Sequence, residues 1–303
     1  MFGLLRKRLK PLWQFGKPHG WIWRALFVGD DYLLCEFRQS TQRKASFFLL
    51  DNRTGTLIWD DFILTDTVSQ KPIGDGWWVG METAYHGLVY FHGYYSPNIP
   101  EHLGIWAIEP LTRTLKWARP DLGYLCIVHN KMVALRNIMV EGYAERAFLT
   151  LDPMTGEMLE DFGQNATTVN ALRQQAPSLL AEQEVVLPEH LTDSSSEFMQ
   201  ATNLVRMVAP HARIIGGLDI LPHQDKIILG YHEQTNQMVS TPAGTKVLGL
   251  NYHLFVFDHQ RHVVYSDLLG TQMSGLLVDG FFVRHHRLYY VKERNMLFAI
   301  DLS

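Results

Sequence analysis

Short apolar runs alternate with tight polar turns along this chain, and the alternation repeats. An apolar strand ends on an acidic residue, a tight turn follows, and a second short strand often carries an aromatic. Leu49–Trp59 reads LLDNRTGTLIW, Ala107–Trp117 reads AIEPLTRTLKW and Thr150–Glu160 reads TLDPMTGEMLE. Val256–Tyr265, VFDHQRHVVY, is one residue shorter at the turn, and the closing FAIDLS is a half copy. The spacing has a cause in turn chemistry. A carboxylate at the strand end accepts the next backbone N–H groups, and a glycine four positions on adopts the left-handed conformation cheaply. Asp51 with Gly55 and Asp152 with Gly156 carry both parts, and Glu109 with Arg113 carries a degraded version.

A second hairpin precedes each copy. Its second strand reads LLCEFR from Leu33, LVYFHG from Leu88, MVALRN from Met132, IILGYH from Ile227 and LYYVKE from Leu288. Four strands per unit in this order predict the blade of a β-propeller. The acidic turn residues Asp51, Glu109, Asp152, Asp258 and Asp301 lie 58, 43, 106 and 43 positions apart. The expectation is therefore an all-β, five-bladed propeller of four-stranded blades, one domain over residues 1–303. The last unit lacks its outermost strand, and LKPLWQF at the start supplies one, with Trp13 placed as Trp59 and Trp117 are in their units. Pairing of the two chain ends would close the sheet and remove an exposed edge.

The interval of 106 leaves six blades as the alternative. From Gln164 to about Arg213, however, apolar residues recur at helical spacing, which predicts a partly helical insertion. Glu233–Val247, EQTNQMVSTPAGTKV, reads as a long polar loop.

Composition narrows the function classes. The chain of 303 residues is 47% hydrophobic and 19% charged, enough to bury a sizeable core. With 27 basic and 31 acidic residues, it has no cationic excess to neutralise a phosphate backbone, so nucleic acid is excluded as the expected partner. Cys35 and Cys126 sit in apolar runs and read as free thiols of a reducing compartment. No run is long enough to span a membrane, and the basic start lacks the order of a secretory signal. These features point to a cytoplasmic protein.

The units LLDNRTGTLIW and TLDPMTGEMLE resemble the repeat of pyrroloquinoline-quinone-type propellers, with its Asp, Thr-Gly turn and Trp. That resemblance implies a fold and no cofactor, since the motif stabilises blades irrespective of function. As a whole the chain resembles the uncharacterised bacterial propeller families classed as domains of unknown function.

Among the fourteen histidines, His86, His129, His223 and His285 recur at equivalent turns and read as turn residues; no metal site is expected from them. The opposite face carries more. There the insertion, the Tyr94 loop (YYSPNIPEHL) and the Glu233 loop are expected to gather as a lid or docking surface. The ligand-binding candidates on that face are His92, Tyr94, Tyr95 and Arg136, with Tyr231, His232 and Glu233: flat aromatic faces plus a few directed donors and acceptors. The leading expectation is a noncatalytic propeller that binds a protein or small molecule. The alternative is a hydrolytic enzyme, glycoside hydrolase-like, using the innermost-strand carboxylates Glu82 and Asp219. Neither a nucleophile elbow nor a phosphate-binding glycine loop is present.

Overall fold

Strand is the predominant element of the chain in a computed structural model that describes residues 8–96 and 98–303. The basic start, residues 1–7, and Pro97 of the Tyr94 segment lie outside the described residues. Among the described residues the strands fall in five antiparallel sheets, a propeller-like all-β fold. By backbone proximity the chain divides into two compact units: His19–Gln183, and Glu184–Ser303 joined by the segment that ends at Pro18. The first strand, β1 (Pro11–Gly16), belongs to the latter.

His19–Gln183 holds three four-stranded sheets, each in sequence order. The first is β2 (Trp21–Val28), β3 (Tyr32–Gln39), β4 (Lys44–Asp51) and β5 (Leu57–Phe62). The second is β6 (Val79–Tyr85), β7 (Leu88–Ser96), β8 (Ile99–Glu109) and β9 (Thr114–Arg119). The third is β10 (Gly123–Val128), β11 (Lys131–Val140), β12 (Tyr143–Leu151) and β13 (Met158–Gly163). The turns behave as their chemistry predicts. Asp51 Oδ1 accepts the N–H groups of Arg53 and Thr54, Asp152 Oδ1 those of Met154 and Thr155, and the carboxylate of Glu109 those of Leu111 and Thr112. Gly55, Arg113 and Gly156 take positive φ of 69°, 58° and 72°. The repeated tryptophans tie neighbouring sheets together: Trp59 Nε1 donates to the Pro110 carbonyl and Trp117 Nε1 to that of Pro153. Between the first two sheets the Phe47 and Phe91 rings meet edge to face at 4.8 Å inside a continuous apolar cluster, each burial stabilising by roughly 1.5–3 kcal/mol.

The predicted helical insertion begins here with α1 (Ala166–Gln175), capped by Asn165 Oδ1 accepting the Thr168 N–H, and α2 (Leu179–Glu182), capped by Ser178. Both lie along first strands. Val169 is buried against Val128 and Val133, Glu182 accepts the Thr83 hydroxyl at 2.9 Å, and the Gln183 amide bonds both the N–H and the carbonyl of Phe27. Pro177 and Glu182 wall a hollow with His86, His129 and Asn130. This half of the insertion therefore sits at the histidine-turn end of β6 and β10, not beside Tyr94 as the sequence suggests. The reason is edge protection: β2, β6 and β10 have unpaired backbone edges that the segment covers.

In the other unit the insertion continues as β14 (Val185–Val186), β15 (Glu189–Leu191) and α3 (Phe198–Val208). The remaining strands are β16 (Ile214–His223), β17 (Lys226–Ser240), β18 (Lys246–Phe257), β19 (Val263–Met273), β20 (Phe281–Arg284), β21 (Arg287–Lys292) and β22 (Met296–Asp301). The sheet orders are β15-β16-β17-β18-β19 and β1-β22-β21-β20-β14. The insertion's two short strands thus join the first strands of existing sheets rather than build another. The expected pairing of the chain ends is present: β1 runs antiparallel to β22, Trp13 opposite Ala299 and edge to face with Tyr289 at 6.2 Å. Glu233–Val247 is no loose loop. Tyr231–Ser240 continues β17 and pairs with β18 as far as Ser240 opposite Lys246, leaving a turn at Thr241–Thr245. Its polar composition reflects a solvated hairpin, which alternation alone does not distinguish from coil.

Among the turn histidines, His86, His129 and His285 have φ of 46°, 49° and 52°, as turn residues must. In the β16–β17 hairpin that role falls to Gln224 (φ 52°), one place after His223. Among the described residues no helix is long and apolar enough to cross a membrane.

Candidate functional site

In the second sheet of His19–Gln183, the three adjacent strands β6, β7 and β8 bring together Glu82, His92 and His102. Two irregularities in the ladder do this. Thr83 pairs with Tyr90 and Met81 with Phe91, so Glu82 is an extra residue on β6, a bulge that re-aims its side chain. Across β7 the register shifts between Phe91 and Gly93, where Gly104 takes φ 87° on β8. A Cβ at Gly104 would lie 2.1 Å from the Trp106 ring, so only glycine fits this bend. Both distortions flank His92, the middle member.

The resulting contacts are close. His102 Nδ1 lies 2.7 Å and His92 Nδ1 3.1 Å from the same oxygen, Glu82 Oε1, and the two imidazoles stack at 3.5 Å with planes 7° apart. Tyr94 meets both rings edge-on at 5.3 Å and packs against Trp78. Burial alone would raise the Glu82 carboxyl, but the two imidazoles outweigh it and hold the group at about 2. Burial lowers the His92 imidazole despite the carboxylate beside it. His92 is 3% exposed, and its 3.1 Å approach to Glu82 is off the hydrogen-bond direction, so among the described residues neither ring nitrogen has a hydrogen-bond partner. Its Nε2 is pressed over Gly80, where a Cβ would lie 2.8 Å away. His102, by contrast, has a side chain 34% exposed and opens the cluster to solvent.

Two arginines of the first sheet hold the bulged strand. Arg24 donates to the carbonyls of Met81 and Glu82, and Arg38 to those of Trp77 and Val79 at 2.9 and 2.7 Å. Arg38 also pairs with Glu36 and lies 5.1 Å from the Trp77 ring centre. Burial pushes the Glu36 carboxyl up, against the pull of Arg38 and Arg24. The donor set of one carboxylate and two imidazoles, all within 4.8 Å of one another, suits either a hydrogen-bonded ligand or a metal ion.

The remaining sequence candidates divide. Tyr95 is on the opposite side of β7 from Tyr94 and 51% exposed. Arg136 pairs with Asp161 of its own sheet at 2.6 Å. Tyr231, His232 and Glu233 belong to the other compact unit, and strand alternation parts them. Tyr231 stacks on His253 and Phe255 on one side, and His232 packs against Tyr252 on the other. Glu233 lies 2.9 Å from His253 Nε2. His232 Nε2 accepts the Leu277 N–H at 2.8 Å, and burial lowers this imidazole to about 4. Asp219 lies 2.7 Å from His190 Nδ1 on β15 through one oxygen and accepts the Tyr252 hydroxyl at 2.6 Å with the other.

His102 was not a sequence candidate. A signal existed in the interval of ten separating Glu82, His92 and His102 on successive strands, but only the two bulges convert that spacing into contact.

Residues 28–117, which contain Glu82, His92 and His102, match the model of a domain of unknown function, DUF4905. The match is to this family and not to the quinone-type repeat that the turn motifs resemble. No curated protein matches the chain. Solved structures similar to it include a europium-containing methanol dehydrogenase (11% identity, TM-score 0.31, covering 95% of this chain and 52% of the other). A glycosyl hydrolase from Bacteroides ovatus is similar at 10% identity and TM-score 0.32, covering 93% and 83%, and the AfRom2 CNH domain at 10% and 0.31, covering 97% and 99%. This chain spans about half the length of the methanol dehydrogenase. Likeness at this level carries no activity across.

Proposed function

We propose that this protein is a noncatalytic binding module whose ligand site is the Glu82–His92–His102 cluster, taking a small polar ligand at the open His102 side. One observation carries the reading: a buried imidazole with no hydrogen bond on either nitrogen, held against an ionised carboxylate by two distorted strands. Such an arrangement costs stability, and proteins keep unsatisfied buried groups chiefly where they work. Tyr94 and Trp78 add the flat walls that fix a small ligand's orientation.

The two-carboxylate hydrolytic alternative finds less support. It needs one carboxyl kept protonated as acid beside one ionised partner. Glu82 is held ionised, Asp219 has both oxygens engaged, and Glu36, whose carboxyl is pushed up, is 1% exposed beneath Arg38.

The test is a small-molecule screen by thermal shift on the full chain and on His102→Ala, whose exposed ring is removed without opening the core. Compounds that raise the melting temperature of the wild type should lose that effect in the variant. Hits that stabilise both proteins equally would place the ligand elsewhere and defeat the reading.

A further inference from the structure

We infer that the occupant of this cluster includes a divalent transition-metal ion, bound by Glu82 Oε1, His92 Nδ1 and His102 Nδ1. The inference rests on the binding-site reading above and sharpens it by naming what the three side chains bind. Ligands about 2.1 Å from a common ion lie roughly 3.0–3.4 Å from one another in octahedral or tetrahedral arrangement. The two nitrogens stand 2.7 and 3.1 Å from the carboxylate oxygen, and all three donors lie within 4.8 Å. Shifts of a few tenths of an ångström and a rotation of the rings about their Cβ–Cγ bonds would aim the three lone pairs at one point.

The donor chemistry selects the ion. Two imidazoles and one carboxylate suit Zn2+, Fe2+ or Co2+, whereas Ca2+ and Mg2+ require oxygen donors. Three protein ligands leave at least one coordination position free, and the half-exposed His102 shows where it opens. A metal also accounts for what hydrogen bonding does not: it gives the buried His92 Nδ1 a partner and separates two imidazoles that otherwise crowd one oxygen. The distorted strands gain a purpose as well. The Glu82 bulge and the Gly104 bend place donors from three strands on one side of the sheet, and Arg24 and Arg38 fix the bulged strand from the neighbouring sheet by its carbonyls, outside the ligand shell.

The experiment is a Co2+ titration of the full chain after chelator treatment, read by visible absorption and repeated with Zn2+ by calorimetry. One equivalent should bind, with the absorption of a low-symmetry nitrogen and oxygen site. His102→Ala and Glu82→Gln, both checked for folding by urea denaturation, should each weaken binding by about 100-fold or more, since loss of a ligand costs at least as much as loss of a supporting group. His190→Ala, in the other unit, should bind one equivalent as the wild type does. The inference is overturned if the wild type binds no stoichiometric metal, or if both cluster variants bind it unchanged. Should metal binding fail while the thermal-shift hits remain sensitive to His102→Ala, the binding-site reading stands and the metal falls.

Discussion

Glu82 and Asp219 occupy comparable places, each on the first strand of a hairpin in its sheet and each 2.7 Å from a histidine Nδ1. Their surroundings end differently. Both oxygens of Asp219 are answered: His190 takes one and the Tyr252 hydroxyl the other, and the neighbouring His232 accepts a backbone N–H. Around Glu82 two imidazoles converge on a single oxygen and the buried one has no hydrogen bond. A closed network of this kind fixes packing and has no further need. Under the proposed reading the open donor set, kept at a cost in stability, is the one that takes a ligand, and this contrast rather than the presence of histidine and carboxylate separates the two.

The largest effects should come from the glycines that shape each region. Gly217 has φ 101° and a Cβ there would lie 2.4 Å from the Leu191 carbonyl, while Gly104 has φ 87° and faces the Trp106 ring. Gly217→Ala and Gly104→Ala should each destabilise by about 3 kcal/mol or more in urea unfolding. A Gly104→Ala protein of wild-type stability would show that the β8 bend is not what holds His102 against His92.

Acid titration sharpens the contrast next. The His232 imidazole is lowered to about 4 from its ordinary 6.5, so it stays neutral in the folded protein while the unfolded chain takes a proton below 6.5. Its cost is therefore absent above that pH, grows as pH falls from 6.5 towards 4, and saturates at roughly 3 kcal/mol. His232→Gln keeps an acceptor for the Leu277 N–H and should flatten the loss of stability between pH 6.5 and 4. An unchanged slope would mean that His232 is not sealed in a closed network.

Smaller differences should follow from removing one hydroxyl. Tyr252→Phe leaves Asp219 Oδ2 without its partner and should cost about 2 kcal/mol. Tyr94→Phe removes the hydroxyl of a ring that meets its described aromatic neighbours through edge contacts, and should stay within about 0.5 kcal/mol by chemical denaturation. Equal losses in the two variants would erase the distinction between closed and open.

The structure also changes how the insertion should be probed. In sequence, a deletion from Gln164 to Ala209 reads as the removal of a lid. It would instead strip the cover from β2, β6 and β10, together with β14 and β15 from their sheets. Point substitutions are the cleaner tools.

Local chemistry made much of the scaffold legible. The acidic residue and glycine of each turn act over three or four residues, the tryptophans recur at fixed offsets, and the terminal strand could be placed because Trp13 repeats a pattern seen elsewhere in the chain. His92, Tyr94 and Glu82 were legible as strand-end and inner-strand residues, since alternation and turn position determine where along a strand a side chain lies. What ordinary alternation could not supply was the two places where it breaks. A bulge shifts register by one residue and turns a side chain to a different side, and its position depends on tertiary partners: here the carbonyl-binding arginines of the next sheet and a glycine beneath Trp106. The chain by itself determined the turns, the strands and the pairing of its ends. The tertiary structure alone decided which carboxylate was closed by partners and which was left open, because that choice depends on distances between strands rather than along them.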